Sequence, residues 1–158
     1  MQPPRRTQLK KLILRAAELS RLPVEQELLI NITFVGDRTM AAYNQDYVGH
    51  EGTTDVITFC YLEGDEPLLP GDVAIDLMIC ADFAIREGAE RKDSCYAREL
   101  ALYIVHGLLH SAGEDDLDPV SRKRMRRRER EVMKKLEQEM DFSGIFPDNK
   151  KIKRSIDI

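Results

Sequence analysis

The chain has 158 residues, 42% apolar and 33% charged, with a net charge of −4; that is enough for one domain with a hydrophobic core, and too apolar for a disordered chain. No apolar run approaches the roughly 20 residues that span a bilayer, which excludes a helical membrane protein. Cys60, Cys80 and Cys95 are odd in number, widely spaced and without a paired-thiol motif, which points to reduced cysteines in a cytoplasmic protein and excludes a disulfide scaffold.

In the first twenty residues, Leu9, Leu12, Ile13, Ala16 and Ala17 recur at helical spacing, predicting an amphipathic helix and not a signal peptide. Residues 27–36, ELLINITFVG, predict a strand, and 37–47 a short helix capped by Asp37. The β-favouring stretch 53–62 predicts a second strand. After the EGDEP loop and a Pro-Gly turn, Asp72–Ile75 predict a third. Residues 76–90 read as helical from Asp76, with a stop at Gly88.

The clearest helix follows. Asp93 or Ser94 can cap it, and Ala97, Leu100, Ala101, Ile104, Val105, Leu108 and Leu109 form its apolar stripe, with Gly113 as a left-handed stop. A long helix after Pro119 carries RKRMRRRER at 122–130, seven basic residues and one glutamate, leaving 17 basic against 27 acidic residues elsewhere. Such a cationic patch on an acidic protein is either a solvated helix face or a guide for an anionic polymer. Residues 147–158 are polar and aperiodic and read as a mobile tail. The sum is one α+β domain over 1–146, a small mixed sheet packed by helices, with a metal site at the end of a core helix.

That site is in HGLLHSAGEDD, residues 106–116. Histidines four apart share one helix face, with Cβ atoms about 5–6 Å apart, and can reach one ion. Gly113 lets the chain turn so that a carboxylate can supply a third ligand. Asp116 has the best offset, with Glu114, Asp115 and Asp118 as competitors. Three protein ligands leave zinc a position for water, whose pKa then falls to about 7. The alternative is a pair of hydrogen-bonded histidines beside acids that cap the next helix. Gly107 stands where a His-Glu-x-x-His protease carries its general base, so peptide hydrolysis by that route lacks its proton acceptor and is only a remote alternative.

These residues resemble the YbeY family of zinc-dependent endoribonucleases. The family motif His-Gly-x-Leu-His-Leu-x-Gly-Tyr-Asp-His aligns with HGLLHSAGEDD, matching His106, Gly107, Leu109, His110, Gly113 and Asp115. A second signature, Asn-x-x-Tyr-Arg-x-Lys-x-x-Thr-Asp-Val-Leu-Ser-Phe, matches Asn44, Tyr47, Thr54, Asp55, Val56 and Phe59, and a third matches Gly71–Ile75. The chain departs from the pattern in three respects. The family's third histidine is Asp116, its Leu and Tyr are Ser111 and Glu114, and its cleft arginine and lysine are Val48 and His50.

The resemblance implies a single-strand-preferring endoribonuclease in rRNA maturation and ribosome quality control. It implies one zinc ion on His106, His110 and Asp116, with the zinc-bound water as the catalytic group. It also implies ribosomal RNA and the small ribosomal subunit, or its assembly factors, as partners. His50 and Asp55 are candidate assistants, His50 otherwise a loop residue and Asp55 otherwise a strand start or a support for a ligand histidine. With the cleft arginine replaced, Arg98 and Arg124, Arg127 and Arg128 of the basic run are candidate RNA contacts. The alternative function is a non-catalytic ribosome-assembly factor braced by a structural metal.

Overall fold

A computed structural model describes residues 1–147; the tail expected over 147–158 lies, apart from Pro147, outside the described residues. The elements are α1 (Arg6–Leu19), β1 (Leu29–Val35), α2 (Asp37–Tyr43), a π-helical turn (Asn44–Val48), β2 (Val56–Cys60), β3 (Val73–Cys80), α3 (Ala81–Glu90), α4 (Tyr96–Ser111), α5 (Pro119–Glu139) and α6 (Phe142–Ile145). The three strands form a mixed sheet in the order β1-β3-β2, with β1 parallel and β2 antiparallel to β3.

The central strand corrects one expectation. Residues 76–80 belong to β3 and not to a helix starting at Asp76. A strand paired on both edges and covered on its faces shows little apolar alternation, so apolar runs of this kind look helical or extended alike. Ile75, Leu77 and Ile79 are fully buried, and Asp76 accepts a hydrogen bond from Asn31 Nδ2 at 3.0 Å across the β1 register. Helix α3 therefore begins at Ala81. It also runs past Gly88 to Glu90. A Cβ on Gly88 would lie 2.5 Å from the Tyr96 nitrogen, so this glycine lets α3 approach the start of α4 and does not end a helix.

The caps differ as well. Gly36, not Asp37, precedes α2; the Asp37 N–H donates to Asp82 Oδ2 at 2.9 Å, while the Asp37 carboxylate takes both prongs of Arg86. Cys95 starts α4 with no side-chain cap, and Ser94 donates instead to the buried Glu99. Gly113 does adopt the left-handed conformation, φ 103°, that turns the chain after α4.

Helix α4 is the hub. It packs on β2 and β3 and against α1, α3, α5 and α6, burying Leu100, Ile104, Val105, Leu108 and Leu109. Each fully buried aliphatic side chain contributes about 1.5–3 kcal/mol, so this stripe fixes where the helix and its histidines sit. Gly107 faces the sheet, where an added Cβ would meet Leu77 Cδ2 at 2.6 Å and Thr58 Oγ1 at 3.1 Å. Besides removing any general base, it allows α4 to lie this close to β2 and β3. Cys60, Cys80 and Cys95 are separate free thiols. Among the described residues no helix is long and apolar enough to cross a membrane.

Candidate metal centre

His106 and His110 leave α4 on one side, one turn apart, and the loop that follows Gly113 returns Asp116 to them. His106 Nε2 and His110 Nε2 are 3.1 Å apart, and His110 Nε2 is 3.9 Å from Asp116 Oδ1. One ligand atom from each residue lies within 4.8 Å of the others. Tetrahedral zinc with bonds near 2.0–2.1 Å spaces its ligand atoms by about 3.3 Å, so the donors fit a zinc-sized ion with small adjustments. Asp116 is the carboxylate that stands in the third place of this group. Among its sequence competitors, Glu114 pairs with Arg124 at 3.1 Å, Asp115 accepts the Leu117 N–H, and Asp118 caps α5 through the Ser121 N–H at 2.8 Å.

The orientation of His106 comes from α5. Its Nδ1 is hydrogen-bonded to Glu129, so Nδ1 carries the proton and the Nε2 lone pair is aimed at His110 and Asp116. Burial lowers the pKa of His106, but the Glu129 hydrogen bond and the charges of Glu129, Asp55 and Asp116 outweigh it, and the net shift is upward. His110 shifts the other way, lowered by burial and then by the charge of its neighbour His106. The carboxylates that favour positive charge on His106 would equally favour a bound cation.

Asp55 does not make the hydrogen bond to His106. Its Oδ1 accepts from the Thr54 hydroxyl at 3.2 Å and the Val56 N–H at 2.7 Å, which fix the carboxylate at the start of β2. Glu129 carries no signature in the sequence beyond being the one acid in the basic run, and only the packing of α5 on α4 brings it to the site.

His106, His110 and Asp116 stand where two clefts meet. One, of about 740 Å³, runs along β2 and is bordered by Asn44, Val48, His50 and Thr54. The other, of about 380 Å³, lies between α4 and α5 and is bordered by Tyr103, Arg91, Arg122 and Arg126. His106, Asp55 and Asp116 line both. His50 is exposed on the first cleft next to Val48. The π-helical turn shapes this rim, since Asn44 is buried and donates to Gly52 O at 2.9 Å, and Tyr47 packs edge-on against Phe59.

The four arginines singled out from the sequence line neither cleft. Arg98 pairs with Glu137 at 2.7 Å, Arg124 with Glu114, and Arg128 with Glu131 and the Leu19 carbonyl at the end of α1. Arg127 is exposed. The guanidinium groups at the site are Arg91, Arg122 and Arg126, two of them from the same basic run, on the face of α5 that borders the smaller cleft.

Comparison with known proteins agrees with this architecture. Residues 3–137 match the family described as Endoribonuclease YbeY. The protein named Endoribonuclease YbeY of Staphylococcus carnosus is 35% identical over 114 residues, 70% of this chain and 73% of that one. Its namesake in Halalkalibacterium halodurans is 31% identical over 138 residues, 80% of this chain and 83% of that one. The solution structure of TM1509 from Thermotoga maritima superposes with a TM-score of 0.54 at 25% identity, covering 83% of this chain and 82% of the other. With the match spanning nearly all the described residues and its motif residues gathered around one cation-sized cluster, the chain belongs to the YbeY endoribonuclease family.

Proposed function

We propose that this chain is a zinc-dependent endoribonuclease of the cytoplasm that prefers single-stranded RNA and acts in rRNA maturation and ribosome quality control. The observation that carries the reading is the convergence of His106, His110 and Asp116, with one ligand atom from each within 4.8 Å of the others, where two clefts meet. His106 and His110 through Nε2, and Asp116 through a carboxylate oxygen, would hold one zinc ion. Bound zinc supplies Lewis acidity toward a phosphodiester and makes a coordinated water acidic near neutral pH.

The protein's own groups do the rest. Glu129 fixes the tautomer of His106 and keeps its Nε2 directed inward. Asp55, held by Thr54 and Val56, would take a proton from the attacking group, and His50 stands on the rim of the β2 cleft. Two clefts meeting at the ligands suit a strand that passes through, and unpaired RNA can thread where a duplex cannot. Binding to a phosphate backbone makes affinity fall with salt, and Arg127 with its paired neighbours Arg98, Arg124 and Arg128 would meet RNA outside the clefts. Ribosomal RNA, with the small subunit or its assembly factors, is the proposed partner.

The test is cleavage of structured rRNA with and without chelator, comparing wild type with His110→Ala. Cleavage lost in chelator, recovered with zinc, and absent in a folded His110→Ala supports the enzyme. A stable, metal-loaded wild type that cuts nothing would favour the assembly factor in which the metal only braces the fold.

A further inference from the structure

Helix α5 turns Arg122, Met125, Arg126 and Glu129 toward the smaller cleft, a single face at spacings of three and four residues. Met125 is buried and Glu129 holds His106. Arg122 and Arg126 differ from every arginine named so far except Arg127: among the described residues neither has a carboxylate partner, while Arg91 in the same cleft is held by Glu87 and Glu99. Across from them α4 places Tyr103, 2% exposed, whose hydroxyl has no hydrogen-bond partner within the protein. Buried polar groups are almost always paired, so an orphan on a cleft wall marks a place for a ligand acceptor. Burial pushes the phenol pKa up, followed by the nearby charges of Glu99 and Asp55, so the hydroxyl remains a donor at neutral pH. Two free guanidinium groups and one O–H, all donors, match an acceptor-only anion.

We infer that Arg122, Arg126 and the Tyr103 hydroxyl form a phosphate-binding subsite that holds an RNA backbone phosphate adjacent to the one cleaved at His106, His110 and Asp116. The inference rests on the endoribonuclease reading and gives it a direction: the strand leaves the ligand residues along α5 on one side and along β2 on the other. It also supplies cationic contacts in a site whose opposite rim carries Val48. The acids on the same cleft do not cancel it, because Glu129 is taken by His106, Asp55 by the Thr54 hydroxyl and the Val56 N–H, and Asp116 would face the cation.

The experiment is anisotropy of a 5′-labelled single-stranded RNA in chelator, so that no cleavage occurs, between 50 and 200 mM salt. The double variant Arg122→Gln/Arg126→Gln is compared with Lys123→Gln/Arg130→Gln, which removes the same charge from exposed positions outside both clefts. Loss of the one neutralised phosphate flattens the salt slope by about 0.7, so the wild type's weakening over this range exceeds the variant's by about 2.6-fold. The control keeps the wild-type slope. Tyr103→Phe weakens binding several-fold with an equal or higher Tm, a combination that a purely structural tyrosine would not give. An Arg122→Gln/Arg126→Gln slope equal to the wild type's, or a control that loses as much, overturns the subsite even if cleavage stands. A wild type that binds with the predicted slopes yet cuts no RNA with zinc leaves the subsite standing and overturns the endoribonuclease reading.

Discussion

Replacing Glu129 by Gln keeps the side chain's shape and removes the charge that holds His106. In the wild type, burial lowers the basicity of this imidazole, and the Glu129 hydrogen bond and charge more than reverse it. Without that carboxylate the largest contribution opposing burial is gone, and His106 becomes harder to protonate than in the wild type. Two consequences follow. The metal-free wild type gains stability from the His106 proton that is fully present below about pH 6.5 and lost as pH rises through the raised folded value, and Glu129→Gln removes that gain. Zinc affinity meanwhile falls in the variant, because a ring N–H donating to an anion makes the opposite nitrogen a better ligand. Supports of this kind are worth about 10–100-fold in affinity, or roughly 1.4–2.8 kcal/mol. Competition with a chromophoric chelator reads the affinity, and proton NMR of the histidine rings in metal-free protein reads the titration. A variant that binds zinc within twofold of wild type while His106 titrates unchanged would refute the assignment of Glu129.

Gly107→Ala should destabilise the fold by about 1–3 kcal/mol in urea titration, since its Cβ meets the fully buried Leu77 at 2.6 Å, and the smaller Leu77→Val should partly rescue it. Gly88→Ala should cost at least as much and resist such rescue, because the clash is with the Tyr96 backbone at 2.5 Å; an unchanged urea midpoint would count against the close approach of α3 and α4. The Arg86 guanidinium, first through its hydrogen bonds, holds the Asp37 carboxyl at about 2, below its ordinary 3.8. Its stabilisation is present above about pH 4 and lost as pH falls through about 2. Both side chains are more than a third exposed, so solvent screening keeps the effect below about 1 kcal/mol. Arg86→Met should reduce the stability difference between pH 6 and pH 2.5, and an unaltered difference would show that the pair contributes nothing.

The sequence was most legible where periodicity and packing agree. Helix α4 shows its buried stripe openly, and its two histidines and the left-handed Gly113 follow from spacing alone. Strand β3 was hidden because a strand buried on both faces carries apolar residues at nearly every position, and Asp76 imitated a helix cap while serving as the acceptor for Asn31. Gly88 imitated a helix stop for a related reason, since a glycine required by a neighbouring backbone looks the same in sequence as one required by φ. In the site, residues near one another in the chain could be read together, but Glu129 and the inward arginines could not. Which side of α5 faces α4 is set by burial of Met125, Val132, Met133 and Leu136 among charged neighbours, a stripe too sparse to fix the helix's rotation from its sequence. The run 122–130 therefore read as one cationic block, whereas the fold divides it into structural ion pairs, exposed charges and two cleft-facing guanidinium groups.

The measurement that bears most directly on the metal-dependent reading is elemental analysis of zinc in protein purified without a histidine tag. One zinc ion per chain in the wild type, and none in a folded His106→Ala/His110→Ala variant, is the predicted result. A wild type with no bound metal that still cuts RNA, or a double variant that keeps its zinc, would contradict it.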